Sequence, residues 1–130
     1  MKKLLLLSMF FVALSSTVRA EEVCDIVRDA VLIAQNDENN YLGKITNSYD
    51  SNSIFNEYGT YGSKYNSLSI WNQYATFGSE YSSYSPHNKY TSTPPMIIKN
   101  GKIVGYLSAN KSIGSSISPN LLKALCAEEL

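Results

Sequence analysis

A tandem repeat constrains this chain more than any other feature. Ser53-Ile54-Phe55-Asn56-Glu57-Tyr58-Gly59-Thr60-Tyr61-Gly62-Ser63-Lys64-Tyr65 aligns with Ser69-Ile70-Trp71-Asn72-Gln73-Tyr74-Ala75-Thr76-Phe77-Gly78-Ser79-Glu80-Tyr81 at a constant offset of 16 residues. A degenerate third copy keeps Ser85, Asn88 and Tyr90 in the same register and carries Pro86-His87 at the apolar pair. Tyr49/Tyr65/Tyr81 and Ser51/Ser67/Ser83 extend the series. One unit is too short to bury a core of its own, so the copies must stack on each other or on neighbouring structure. Ile54/Ile70 and Phe55/Trp71 are the expected inward anchors. Asn56, Asn72 and Asn88 suit turn capping through their amides, and Gly59, Gly62 and Gly78 mark tight bends. The expected unit is a short helical turn followed by a short extended segment.

The flanks have other periods. Val23, Ile26, Val27, Ala30, Val31 and Ala34 fall on one helical face, which predicts a helix ended by the polar run Asn36 to Asn40. Ser118-Pro119 reads as an N-cap with proline in the first helical turn, followed by the apolar stripe Leu121, Leu122, Leu125 and Cys126. Tyr41 to Thr46 suits a strand. Met96 to Lys99, Asn100-Gly101 and Lys102 to Leu107 form a hairpin signature, because Asn-Gly supplies the positive φ angles of a tight type I′ turn. Pro94-Pro95 fixes an extended approach to it.

Residues 1–20 read as a secretory signal. Met1-Lys2-Lys3 is positive, Leu4 to Leu14 is apolar apart from Ser8, and Val18-Arg19-Ala20 is a small-x-small cleavage site of bacterial type. The apolar run rises only about 16 Å as a helix, short of the roughly 30 Å bilayer core. Glu21-Glu22-Val23 before Cys24 is not a lipobox. Losing Lys2, Lys3 and Arg19 from 11 basic residues leaves 8 against 11 acidic, so the mature chain carries about −3. That balance argues against nucleic acid, whose binders display basic stripes.

Export makes the cysteines legible. Cys24 and Cys126 lie near the two ends of the mature chain and have only each other to pair with in an oxidising compartment. The alternatives are two buried thiols, or a zinc site that a lone His87 would complete poorly. The expected fold is a small single α+β domain at 21–130. Two terminal helices are clipped by a disulfide around a β-hairpin (about 96–108) and a 16-residue repeat region (about 49–95).

Leu42-Gly43-Lys44-Ile45, then Tyr49 to Gly59, the second copy and Ser92-Thr93-Pro94-Pro95 resemble a group of uncharacterised exported bacterial proteins. These share tandem S-I-F/W-N-x-Y-G-x-Y-G-S-x-Y repeats followed by a Pro-Pro hairpin. The likeness spans about 41–110, with Ala75, Phe77 and Pro86-His87 departing from the pattern. It implies a fold unit and an export address, and no activity.

Catalytic signatures are sparse. His87 would have to serve any Ser–His–acid triad. Asp50, Glu57 and Glu80 are not placed as a carboxylate pair around one substrate. Calcium on Asp50, Asn56 and carbonyls lacks acidic density. No cofactor or metal is implied. The reading is therefore an exported non-catalytic binding or accessory protein, periplasmic or secreted. The alternative is a small envelope-polymer hydrolase or an inhibitor of one. Candidate binding residues are Tyr49, Tyr65 and Tyr81 in one phase and Tyr58, Tyr74 and Tyr90 in another. One series is expected to pack inward and the other to offer an aromatic ladder. The ladder would take a neutral glycan or an envelope protein. The opposing expectation is that both series simply form the core of a leucine-poor segment.

Overall fold

The computed structural model describes residues 19–130; the signal-peptide reading lies almost wholly outside them. The elements in chain order are α1 (Ala20–Val27), β1 (Val31–Ile33), β2 (Tyr41–Lys44), β3 (Met96–Lys99), β4 (Lys102–Leu107), β5 (Ser116–Ile117) and α2 (Pro119–Cys126). The strands form one mixed sheet in the order β2-β1-β3-β4-β5, antiparallel except for the parallel β4–β5 pair. The α+β class and the clip hold: Cys24 and Cys126 are disulfide-bonded, with Cα atoms 5.5 Å apart, and join α1 to α2. Both sulfurs are buried with Val27, Leu32, Leu42, Ile45, Ile97, Leu107 and Leu122 in one core.

Two helical signals had different fates. Ser118 caps α2, its Oγ accepting from Leu121 N at 3.1 Å, with Pro119 in the first turn. The helix expected from Val23 to Ala34, by contrast, stops at Val27. Asp29 adopts φ 64°, a left-handed conformation that no helix continues through. Val31-Leu32-Ile33 then becomes a strand paired on both sides. Its branched side chains suit a strand, and the helical spacing of the preceding residues masked it. Asn36 to Asn40 consequently closes the β1–β2 connection rather than a helix. There the Asn36 Oδ1 accepts from Asn40 N at 3.1 Å, and Asn39 sits at φ 47°.

The Asn100-Gly101 hairpin forms as its residues dictate, with φ of 54° and 76° at the two positions. A register shift lies between Ile97 and Ile98. β5 had no signature in the sequence. It is two residues long and joins the sheet edge beside Tyr106-Leu107.

Candidate functional site

Residues 47–94 form three stacked coils of 16 residues, and the physical unit inside them is three residues long. A side-chain acceptor stands at Asn47, Asp50, Ser53 and Asn56, then at Ser63, Asn66, Ser69 and Asn72, then at Ser79, Ser82, Ser85, Asn88 and Thr91. Each accepts from the backbone N–H two residues on. Examples are Asn56 Oδ1 from Tyr58 N at 3.0 Å, Ser69 Oγ from Trp71 N at 3.1 Å and Asn88 Oδ1 from Tyr90 N at 2.9 Å. Most of their carbonyls accept from the N–H three residues on, as Ser69 O does from Asn72 N at 3.2 Å. The chain is thus a run of linked turns rather than the helical turn plus extended segment expected. Short polar side chains offer the backbone local bonds that compete with helix and sheet.

Four such triplets and one four-residue step make up 16. The long step ends at Gly62 and Gly78, where a Cβ would stand 2.0 Å from Asn56 O and 2.1 Å from Asn72 O. No other residue fits there. Asn56, Asn72 and Asn88 also send Nδ2 back to the carbonyls of Asp50, Asn66 and Ser82 at 3.2, 3.1 and 3.0 Å. Their amides are therefore consumed by the scaffold and are not free for a ligand. Asp50 is likewise committed, its Oδ1 accepting from Asn52 N at 2.8 Å.

The coils are stitched by a second column. Ile54, Ile70 and Pro86 point inward and are fully buried. Trp71 Nε1 donates to Ile54 O at 2.6 Å, one coil back. His87 holds the equivalent position in the third coil, with the Ile70 backbone acting on its imidazole. Phe55, in the first coil, has no preceding coil to reach, and a ring without a donor suffices there. Burial pulls the His87 pKa below its ordinary 6.5, opposed by the Ile70 hydrogen bond and by Glu80. Its imidazole is also edge-on to Trp71, with centroids 5.7 Å apart.

Both ends of the stack are closed by the α+β part. Below, Lys44 N donates to Asn52 O at 2.8 Å and Ile54 N to Lys44 O at 3.0 Å. Above, Ala109 N donates to Pro86 O at 2.7 Å and Asn110 Nδ2 to Thr91 O at 2.9 Å. Among the described residues no buried side-chain nitrogen or oxygen lacks a partner.

Tyr49, Tyr58, Tyr65, Tyr74, Tyr81 and Tyr90 all project into solvent, exposed by 85–99%. The expectation that one series packs inward fails, and so does the expectation that both form the core. The inward phases belong to Ile54, Ile70, Pro86, Phe55 and Phe77 instead. Trp71 is half-buried rather than a full equivalent of Phe55, with Lys123 Nζ from α2 lying 4.9 Å from its ring centre.

The two tyrosine columns wall a groove. In the first coil Ser48, Tyr49, Phe55, Asn56, Glu57 and Tyr58 line a cleft of about 620 Å³. In the second, Lys64, Tyr65, Trp71, Asn72, Gln73 and Tyr74 line one of about 540 Å³. In the third, Glu80, Tyr81, His87, Asn88, Lys89 and Tyr90 line one of about 380 Å³. The three sets are the same positions displaced by 16. A further cleft shares Trp71, Tyr74, Tyr81 and His87 and joins the second to the third. Phe55, Trp71 and His87 form the floor. The neighbouring Glu80 carboxylate raises the Tyr81 phenol pKa.

Sequence reasoning had the six tyrosines but not the floor. The signal for it lay in Phe55/Trp71/His87 sharing one phase. Comparison of the chain with family models, curated proteins and solved structures returns no match.

Proposed function

We propose that this chain is an exported, non-catalytic binding or accessory protein of the bacterial envelope or extracellular space, acting through the tyrosine-walled groove. The observation that carries this reading is the recurrence of one cleft three times in identical register, on a scaffold whose buried side-chain polar atoms, among the described residues, are all paired. Six large rings held in water are costly to leave uncovered unless a partner uses them. A disulfide between the terminal helices is compatible with export. Among the described residues, no helix is long and apolar enough to cross a membrane. His87, the one histidine available to a hydrolase, is engaged in holding coil three on coil two, which favours binding over catalysis.

The test is retention of the purified mature protein on native envelope fractions. A Tyr65→Ser/Tyr74→Ser variant with unchanged circular dichroism should lose most of that retention. Undiminished retention refutes the groove. Bond cleavage that disappears on His87→Ala would replace this reading with the hydrolase.

A further inference from the structure

We infer that the groove takes one unbranched, neutral, β-linked hexopyranose chain laid along the stacking axis and held by all three coils at once. This rests on the binding reading above and names its ligand. Periodicity is the first argument. Three clefts related by pure repetition suit a ligand that itself repeats, and the floor rings of adjacent coils, Trp71 and His87, lie close enough, with centroids 5.7 Å apart, for one continuous chain to touch both. Second is charge. Glu57 and Glu80 are balanced by Lys64 and Lys89 along the groove, so its lining is neutral although the mature chain is acidic. A uniformly charged polymer would meet attraction in one coil and repulsion in the next.

The third argument is surface chemistry. Aromatic walls and floor offer π-faces to the axial C–H groups that all-equatorial pyranoses expose, with phenol hydroxyls at the rim for the sugar hydroxyls. A peptide would instead look for a strand edge to extend. The coils contain no strand, and their backbone bonds run from turn to turn along the chain rather than in a ladder a peptide could extend.

Titration calorimetry on the mature protein tests this with cello- and chito-oligosaccharides of two and of six units, the two series separating glucan from N-acetylglucosamine polymer. The six-unit chain should bind on the order of a hundredfold more tightly than the two-unit chain in at least one series, as linked subsites require. Tyr65→Ala/Tyr74→Ala, with its melting temperature unchanged, should weaken that binding about tenfold. Equal affinity for short and long chains would overturn the single-polymer arrangement. No glycan binding, with envelope retention that still depends on Tyr65 and Tyr74, would overturn the ligand class and leave the binding reading standing; capture of a protein through the same tyrosines would do likewise. Retention indifferent to those tyrosines overturns both.

Discussion

Replacing Asn72 with alanine removes two hydrogen bonds from the middle coil at once. Oδ1 accepts from Tyr74 N at 3.1 Å and Nδ2 donates to Asn66 O at 3.1 Å, on a side chain that is only 9% exposed. Each bond contributes about 1 kcal/mol net. The Asn66 carbonyl keeps Ser69 N at 3.1 Å and is not orphaned, whereas the Tyr74 N–H loses its side-chain acceptor. Adding part of the cost of the vacated volume gives about 2–3 kcal/mol, well outside the ±0.5 kcal/mol or so of a neutral surface change. For a domain of this size that lowers the melting temperature by roughly 10–20 °C. Thermal and urea unfolding with the disulfide intact measure it. Asn72→Asp is the internal control, since it keeps the acceptor and loses the donor while ionised. An alanine variant within 0.5 kcal/mol of wild type, or an aspartate variant as stable as wild type at pH 7, would refute the triplet-turn account.

Gly78→Ala should destabilise by about 1–3 kcal/mol or more, because its Cβ meets the Asn72 carbonyl, while Gly114→Ala, with nothing within 4 Å, should be close to neutral. Urea midpoints distinguish the two. His87 is kept neutral by burial, so its contribution is complete above the unfolded pKa of about 6.5 and shrinks as pH falls from there through the lowered folded value. Melting curves between pH 7.5 and 4.5 should show that decline, and His87→Gln should remove it. The Cys24–Cys126 bond spans 102 residues, and its loss in a Cys24→Ser/Cys126→Ser variant should cost about 3–5 kcal/mol by chain entropy. Labelling of either thiol in unfolded, unreduced protein would contradict the bond itself.

Much of this architecture is written in local chemistry. Asn100-Gly101, Ser118-Pro119 and the two cysteines each act through a short-range rule, and each reads directly. The repeat offset is equally plain, yet the unit within it is hidden, because Ser, Asn, Asp and Thr are different letters for one role: an oxygen that accepts two residues downstream. Val31 to Ile33 is obscured for the opposite reason. A helical spacing of apolar residues runs straight across Asp29, and only tertiary pairing decides that the chain reverses there. The exposure of the tyrosines was not legible either. Which phase of a coil faces inward depends on where the four-residue step falls, and that is set by glycine packing on the neighbouring asparagine backbone.

The closed ends of the stack have a consequence for self-association. The coils offer acceptors on one side: Ile54 O takes Trp71 Nε1 from the next coil, and Pro86 O takes Ala109 N. A stack left open would expose the Pro86 carbonyl as an acceptor at its top and the Ile54 N–H as a donor at its bottom, and one copy could then bond to the next. Such contacts are heterologous, have no symmetry that closes them, and propagate into fibres. Lys44 fills the bottom position and Ala109-Asn110 the top one, so the donor–acceptor series begins and ends within a single chain. Ala109→Pro, which deletes the N–H that terminates it, would leave the Pro86 carbonyl as a growing end.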